Sequence, residues 1–310
     1  MKSLLPLALC GAMPLFAQQG VTQSGTPTGQ TPFPLTAYQE LPDPSQPDAS
    51  KWSAVKGTQV TWGTTDMRYA KHEVPAIKLR TQQALKGWRG ERVNAQAVVW
   101  SGEALSQLQF SFSEFKDKKG NLLPAEAWSA GFVRYVMTDE LNKDGRGGCG
   151  YRKPVDFDSL LVADPIDHLL QSMELPAQSV QPIWVQCWIP QSAVAGTYQG
   201  DLLVNDGTQL LQRLHLTIEV VDRVLPQPSE WAFHLDLWQN PYAVARYHQV
   251  PLWSDAHLEA MRPLMKRLAD AGQKIITASI MHKPWNGQTE DYFDTMITWI
   301  KRVDGTWAFD

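Results

Sequence analysis

Cysteine is scarce: the 310 residues hold 3, and one of them, Cys10, falls within the first 17. The other two, Cys149 and Cys187, have no paired histidine spacing near them, which excludes a zinc-finger type of site. Net charge is small, −4 at pH 7, so there is no broad positive field to grip a nucleic acid. Beyond the N-terminus no apolar run reaches the roughly 18 residues that a membrane span needs. No Gly-rich phosphate loop follows a strand and no Gly-x-Ser-x-Gly elbow is present, which leaves nucleotide and serine-hydrolase chemistry without a foothold. The acidic loop from Asp139 to Asp144, with Gly145, lacks the ligand alternation and terminal Glu of a calcium loop. No metal or cofactor is expected.

The first 17 residues differ from the rest. Lys2 supplies a positive start, residues 4–16 are apolar, and Ala17 is a small residue at a plausible cut, the pattern of a secretory signal peptide. Lipidation at Cys10 would need a small residue before it, and Leu9 stands there. The expected location is therefore outside the cytoplasm: periplasmic, cell-surface or secreted. In such a compartment Cys149 and Cys187 have two options, a disulfide or two separate thiols with Cys187 buried. Residues 18–50 are rich in Gln, Thr, Pro, Ser and Gly and read as a disordered linker.

Residues 51–228 read as an all-β sandwich. The expected strands are 76–81, 92–100, 107–115, 131–138, 182–190, 197–205 and 209–222, with Asp206-Gly207 as a tight hairpin turn between the last two. Leu202, Val204, Leu214, Leu216, Ile218 and Val220 alternate toward one face. The stretch 139–174 reads as a long irregular insertion with a short helix near 165–173. Leu225-Pro-Gln-Pro228 is a stiff linker.

The run from Trp231 to Trp238 alternates strictly and predicts a strand. Phe233, Leu235 and Leu237 share one face; His234, Asp236 and Trp238 share the other. A His-Asp-Trp row suits the inside of a barrel better than a solvated sheet face. Residues 254–271 predict a helix with Leu258, Met261, Leu264, Met265 and Leu268 on one stripe. Ser254 or Asp255 caps its start, Gly272 ends it, and Pro263 imposes a kink or a restart. Residues 274–281 predict a second buried strand. Strand, helix, strand is the opening βαβ part of a (β/α)8 TIM barrel or of an open α/β sheet. About 80 residues follow Trp231, against about 250 for a closed barrel, so 229–310 reads as a truncated barrel. Asp304-Gly305, between two alternating runs, predicts a hairpin with a type I′ turn.

Ligands in such folds bind beyond the C-terminal strand ends. That makes Asp236, Trp238, Gln239, Asn240, His282 and Trp285 the candidate binding residues. Tryptophan is plentiful, 13 in all, and exposed indole faces stack on sugar rings. Trp184 and Trp188, on one face of one strand, read as core. Glu290, Asp291 and Asp294 could in principle work as paired carboxylates on a glycosidic bond; a solvated loop is the plainer reading.

Several stretches together resemble one family: Trp88-Arg-Gly-Glu-Arg-Val-Asn-Ala-Gln-Ala97, Ala195-Gly-Thr-Tyr-Gln-Gly200, Phe233-His-Leu-Asp-Leu-Trp-Gln-Asn-Pro241, Leu268-Ala-Asp-Ala-Gly-Gln-Lys274 and His282-Lys-Pro-Trp285. They are similar to bacterial proteins of glycoside hydrolase family 123, the N-acetyl-β-galactosaminidase family. The resemblance spans about residues 51–310. It implies an N-terminal β-sandwich, a C-terminal TIM-barrel catalytic domain, a glycan substrate, and substrate-assisted retaining hydrolysis, an exception to the two-carboxylate scheme. In that mechanism an adjacent Asp-Glu pair on a later barrel strand orients the acetamido group and supplies the acid. The Asp-Glu pair of this chain, Asp139-Glu140, lies in the sandwich stretch and does not match. No catalytic residue is carried over, and the acid is expected beyond Asp310. The alternative is a non-catalytic carbohydrate-binding or scaffold protein built on the sandwich. Oligomeric state is not legible.

Overall fold

The computed structural model describes residues 40–138, 160–281, 295–297 and 299–309. The signal-peptide stretch 1–17, linker residues 18–39, the acidic loop and Cys149 lie outside the described residues. Those described fall into two compact units that part between Pro226 and Gln227.

The first unit is built on two sheets. One runs, in spatial order, β1 (Thr58–Trp62), β3 (Arg92–Ser101), β10 (Ser179–Trp188), β7 (Trp128–Thr138) and β8 (Leu160–Asp167), every neighbour antiparallel. The other runs β2 (Gln82–Arg89), β12 (Gln209–Val224), β11 (Gly196–Asp206), β4 (Leu105–Phe112) and β9 (Ser172–Leu175), with the short β5 (Phe115–Lys116) and β6 (Leu122–Leu123) beside β11. β2 joins β12 in parallel. The β11–β12 hairpin pairs Asp206 with Gln209 and puts Gly207 at the first of two loop positions, with φ +56°. Only glycine takes that conformation without steric cost.

Period two decides which side chains fill the space between the sheets. From β11 and β12, Leu202, Val204, Leu214, Leu216, Ile218 and Val220 face inward as expected, and all are buried. They meet Val93, Ala95, Ala97 and Val99 of β3 and Ile183, Val185 and Cys187 of β10 in one cluster. Phe115 stacks on Trp128 at 3.8 Å and ties β5 to β7. Cys187 belongs to this core as a free thiol, and burial pushes its pKa up to about 12. It is therefore a protonated, inert core thiol.

β3 is buried on both faces. Its outward residues Val98 and Trp100 are covered by Trp52 of α1 (Ala49–Trp52) and by Tyr69. Of the stretch 18–50, residues 40–50 are described, and Asp48 there caps α1. Glu40 is clamped by Lys71 at 2.5 Å and by Arg134 at 2.8 Å, and Arg134 also reaches Asp167 at 3.2 Å. Burial opposes the Glu40 carboxylate, but hydrogen bonds from Lys71 and Arg134 outweigh it and hold its pKa below the usual range. Local composition could not announce this, because both cationic partners lie far along the chain.

Three expectations are corrected. Residues 76–81 form no strand; Arg80 there holds Trp62 and Gly63 carbonyls through its guanidinium, and the strand is 82–89 instead. The helix expected near 165–173 is replaced by parts of β8 and β9, paired with β7 and β4. Trp188 is not core: it lies 59% exposed, with the Arg92 guanidinium 4.8 Å from its ring.

In the second unit, the runs 231–238 and 274–281 carry no strand assignment. Among the described residues no backbone ladder joins them; side chains do so in its place. The Gln273 amide accepts from the Leu237 N–H at 3.1 Å, and Lys274 donates to the Trp231 carbonyl at 2.9 Å. A period-two pattern specifies alternation of faces, not the partner that completes a ladder. Between the runs stand two helices, α2 (Pro241–His248) and α3 (Asp255–Asp270).

The first of these helices was not expected. Asn240 caps it through Oδ1 at 3.2 Å from the Ala243 N–H, with Pro241 at the first helical position, a pairing that favours a helix start. α3 begins on Ser254, as expected. It ends in a Schellman motif: Gly272 N–H to Ala269 O, Gln273 N–H to Leu268 O, and Gly272 at φ +98°. A Cβ on Gly272 would lie 2.9 Å from the Pro228 carbonyl oxygen. Pro263 sits inside the helix without interrupting its assignment. The hairpin at the chain's end, β13 (Trp299–Lys301) to β14 (Trp307–Phe309), turns through Val303-Asp304-Gly305. Arg302 and Thr306 pair, and Gly305 alone of the three has positive φ, at +87°. The loop is thus a three-residue turn with a left-handed glycine and not type I′. No described helix is long and apolar enough to cross a membrane.

Candidate functional site

The polar row of the first run is partly assembled. Asp236 is half-buried, and its Oδ2 accepts from the Trp238 indole N–H at 3.2 Å and from the Thr277 hydroxyl at 2.7 Å. Its Oδ1 is shielded from solvent and has no hydrogen-bond partner among the described residues. Both donors go to the same oxygen, and through them the carboxylate ties the Trp238 indole to Thr277. Trp238 itself is 56% exposed. His234 is exposed, beside the stacked rings of Trp231 and Phe233.

Thr277 also borders a cavity of about 440 Å³ between the start of α2, α3 and residues 276–278. That size falls in the range of about 300–1,000 Å³ usual for small-molecule sites. Leu258, Met261 and Met265 of the α3 stripe form its apolar side, and Gln239 and Trp253 stand at its edge. The Gln239 side chain donates to the Leu237 carbonyl at 2.9 Å.

Asp236 and Trp238 are therefore brought together, and Gln239 joins them through the cavity that Thr277 shares. Asn240 is not a free binding group, since its side chain caps α2. His282, Trp285, Glu290, Asp291 and Asp294 lie outside the described residues, as does Cys149 of the proposed disulfide. Thr277, Gln273 and Trp253 were not singled out from sequence. Nothing in the apolar run around Thr277 distinguishes a carboxylate partner from a filler. The Asn-Pro pair, in contrast, was a readable signal of a helix start.

The second unit thus sets a carboxylate held by an indole and a hydroxyl near a cavity, in the part of the chain that follows the β-sandwich. The class of protein comes from comparison with known families. Residues 62–206 match the model of the glycoside hydrolase 123 N-terminal domain, and residues 238–310 match that of the glycoside hydrolase 123 catalytic domain. The chain belongs to glycoside hydrolase family 123. A solved structure of a family 123 glycoside hydrolase from Clostridium perfringens, analysed for glycolipid glycan hydrolysis, superposes with a TM-score of 0.70 at 24% identity. That match covers 82% of this chain and 43% of the other, so the chain spans less than half the length of that relative. The N-terminal domain of PorA matches at 9% identity over 52% of this chain and 97% of its own, with a TM-score of 0.25, too low to carry weight. No curated protein matches.

Proposed function

We propose that these residues form the amino-terminal part of an exported glycoside hydrolase that cleaves β-linked N-acetylhexosaminides, N-acetylgalactosamine foremost, by substrate-assisted retaining hydrolysis. The observation that carries it is the exposed Trp238 indole, oriented by the Asp236 carboxylate that Thr277 also holds. Such an exposed face suits the apolar side of a sugar ring. Family membership and the order of the two matched domains support the same reading, with 229–310 as the opening of a (β/α)8 barrel. The chain's Asp-Glu adjacency, Asp139-Glu140, falls within the stretch that matches the N-terminal domain and not the catalytic one, so the acid is assigned to residues outside these 310. The 310 residues alone are then expected to bind and not to turn over. Release of aryl alcohol from aryl N-acetyl-β-hexosaminides by the enzyme containing them is the test. Activity toward aryl sugars without the 2-acetamido group, and none toward those with it, would remove the substrate-assisted mechanism.

One observation favours a second reading, glycan binding by the sandwich itself. The Trp188 indole is 59% exposed and oriented by its N–H to the Gly90 carbonyl at 3.3 Å. On this reading the 310-residue chain is retarded on an immobilised N-acetylhexosamine glycan, and Trp188→Ala shortens the retardation while Asp236→Ala does not. The reverse ranking assigns binding to the second unit.

A further inference from the structure

His257 is fully buried in the first turn of α3. Both of its ring nitrogens bond to backbone. The Trp253 amide donates to Nδ1 at 3.0 Å, and Nε2 meets the Pro241 carbonyl at 2.9 Å. An amide N–H has only a hydrogen to give, so Nδ1 is the acceptor and Nε2 carries the proton. The ring is the neutral Nε2–H tautomer.

These two bonds fasten three pieces of chain. Pro241 opens α2, immediately after Gln239 and Asn240. Trp253 is a loop residue held at φ +60°, a left-handed conformation that is strained for a bulky residue and persists only where the surroundings enforce it. What holds it is the bond to Nδ1, together with the packing of the mutually tilted Trp253 and His257 rings, 5.3 Å between centroids and 52° between planes. Pro241 and Trp253 both line the 440 Å³ cavity.

We propose that His257 is a positioning residue that sets Trp253 and the Asn240–Pro241 turn as one wall of the glycan site. The assignment rests on the glycan reading given above. It also makes the wall responsive to pH, since a doubly protonated ring would turn an N–H against the Trp253 N–H. Burial keeps His257 below the ordinary imidazole value; the bond to the Pro241 carbonyl opposes this and the like charge of His248 adds to it. A group held neutral by the folded state stabilises it fully above the ordinary value of about 6.5, and that contribution is lost as pH falls below it. The ionisable residues of α2 are Tyr242, Arg246, Tyr247 and His248, and those of α3 besides His257 are Asp255, Glu259, Arg262, Lys266, Arg267 and Asp270; residues 249–254 contain none. Glu259 and Arg262 are exposed and bonded to each other at 2.7 Å.

The test has two arms. In the first, amide hydrogen exchange of the 310-residue chain is followed at Trp253, corrected for the intrinsic rate. Protection at pH 8 should fall about tenfold or more in His257→Phe, as for loss of one hydrogen bond. It should fall in the unaltered chain as pH drops from 7 to 5, and should not depend on pH in the variant. Trp253 protection that is flat across that range in the unaltered chain overturns the proposal without any variant. In the second arm, His257→Phe in the enzyme containing these residues should raise KM about fivefold or more for an aryl N-acetyl-β-hexosaminide while kcat changes less, the sign of lost binding geometry. An unchanged KM beside lost protection reduces His257 to a structural residue and overturns its positioning role. Absence of hydrolysis of every aryl sugar brings down the glycan reading, and the exchange arm still decides the clamp.

Discussion

Replacing Glu40 by alanine is expected to destabilise the first unit by about 3–5 kcal/mol, the usual cost of removing one member of a buried ion cluster. The Glu40 side chain is 11% exposed, Lys71 19% and Arg134 13%. Without the carboxylate, the Lys71 ammonium stays desolvated with no compensating anion from Glu40, and the Tyr135 amide loses an acceptor at 3.2 Å. The lower end of the range is favoured because Arg134 keeps Asp167. Glu40→Gln should cost less, since it preserves shape and can still accept from one partner. The effect carries a pH signature. The folded state holds the Glu40 pKa below its ordinary value, through Lys71 and Arg134 acting against burial. Its contribution is therefore complete above the unfolded-state pKa and is lost as pH falls through the folded-state one. Urea unfolding at pH 7 and pH 3 measures both. A Glu40→Ala midpoint within about 0.5 kcal/mol of the parent at pH 7, the scatter of neutral surface changes, would mean that the strap from Glu40 to Trp52 is not held by this cluster.

Asp236→Ala is expected to lower kcat/KM of the enzyme containing these residues roughly 10- to 150-fold toward an aryl N-acetyl-β-hexosaminide. The figure is a charge-assisted hydrogen bond of about 1.5–3 kcal/mol, converted at about 1.4 kcal/mol per decade. Removing the carboxylate also frees the Trp238 indole N–H and the Thr277 hydroxyl that it holds, so the ring that would meet the sugar loses its orientation. Asp236→Asn keeps an acceptor for both donors and removes the charge; it should retain the Trp238 orientation and recover part of the loss. Thr277→Val keeps shape and deletes one of the two donors, and should fall between Asn and the parent. If Asp236→Ala leaves kcat/KM within a factor of two, the carboxylate does not set the ring that meets substrate and the site lies elsewhere in the second unit.

Sequence by itself determined what depends on neighbours within a few residues. The β11–β12 hairpin with Gly207, the inward row from Leu202 to Val220, the Ser254 cap and the Gly272 end of α3 all follow from local sterics and period. They were legible because each chemical choice and its structural consequence sit together. The Asn240-Pro241 start of α2 is equally local, but it directly follows the alternating run of Trp231–Trp238, whose strand pattern dominates the stretch.

Tertiary structure alone decided the pairings made at a distance. Glu40 finds Arg134 at a separation of 94 residues, β2 joins β12 in parallel, and Thr277 reaches Asp236 across 41 residues. Trp188 alternates like a core residue yet lies outside, and His257 sits on a helix whose Leu258 is half exposed. Hydrophobic pattern tells a chain which faces to hide. It cannot say which distant donor meets a carboxylate, because that partner is chosen by the packing of whole elements and leaves no trace in the spacing of either residue.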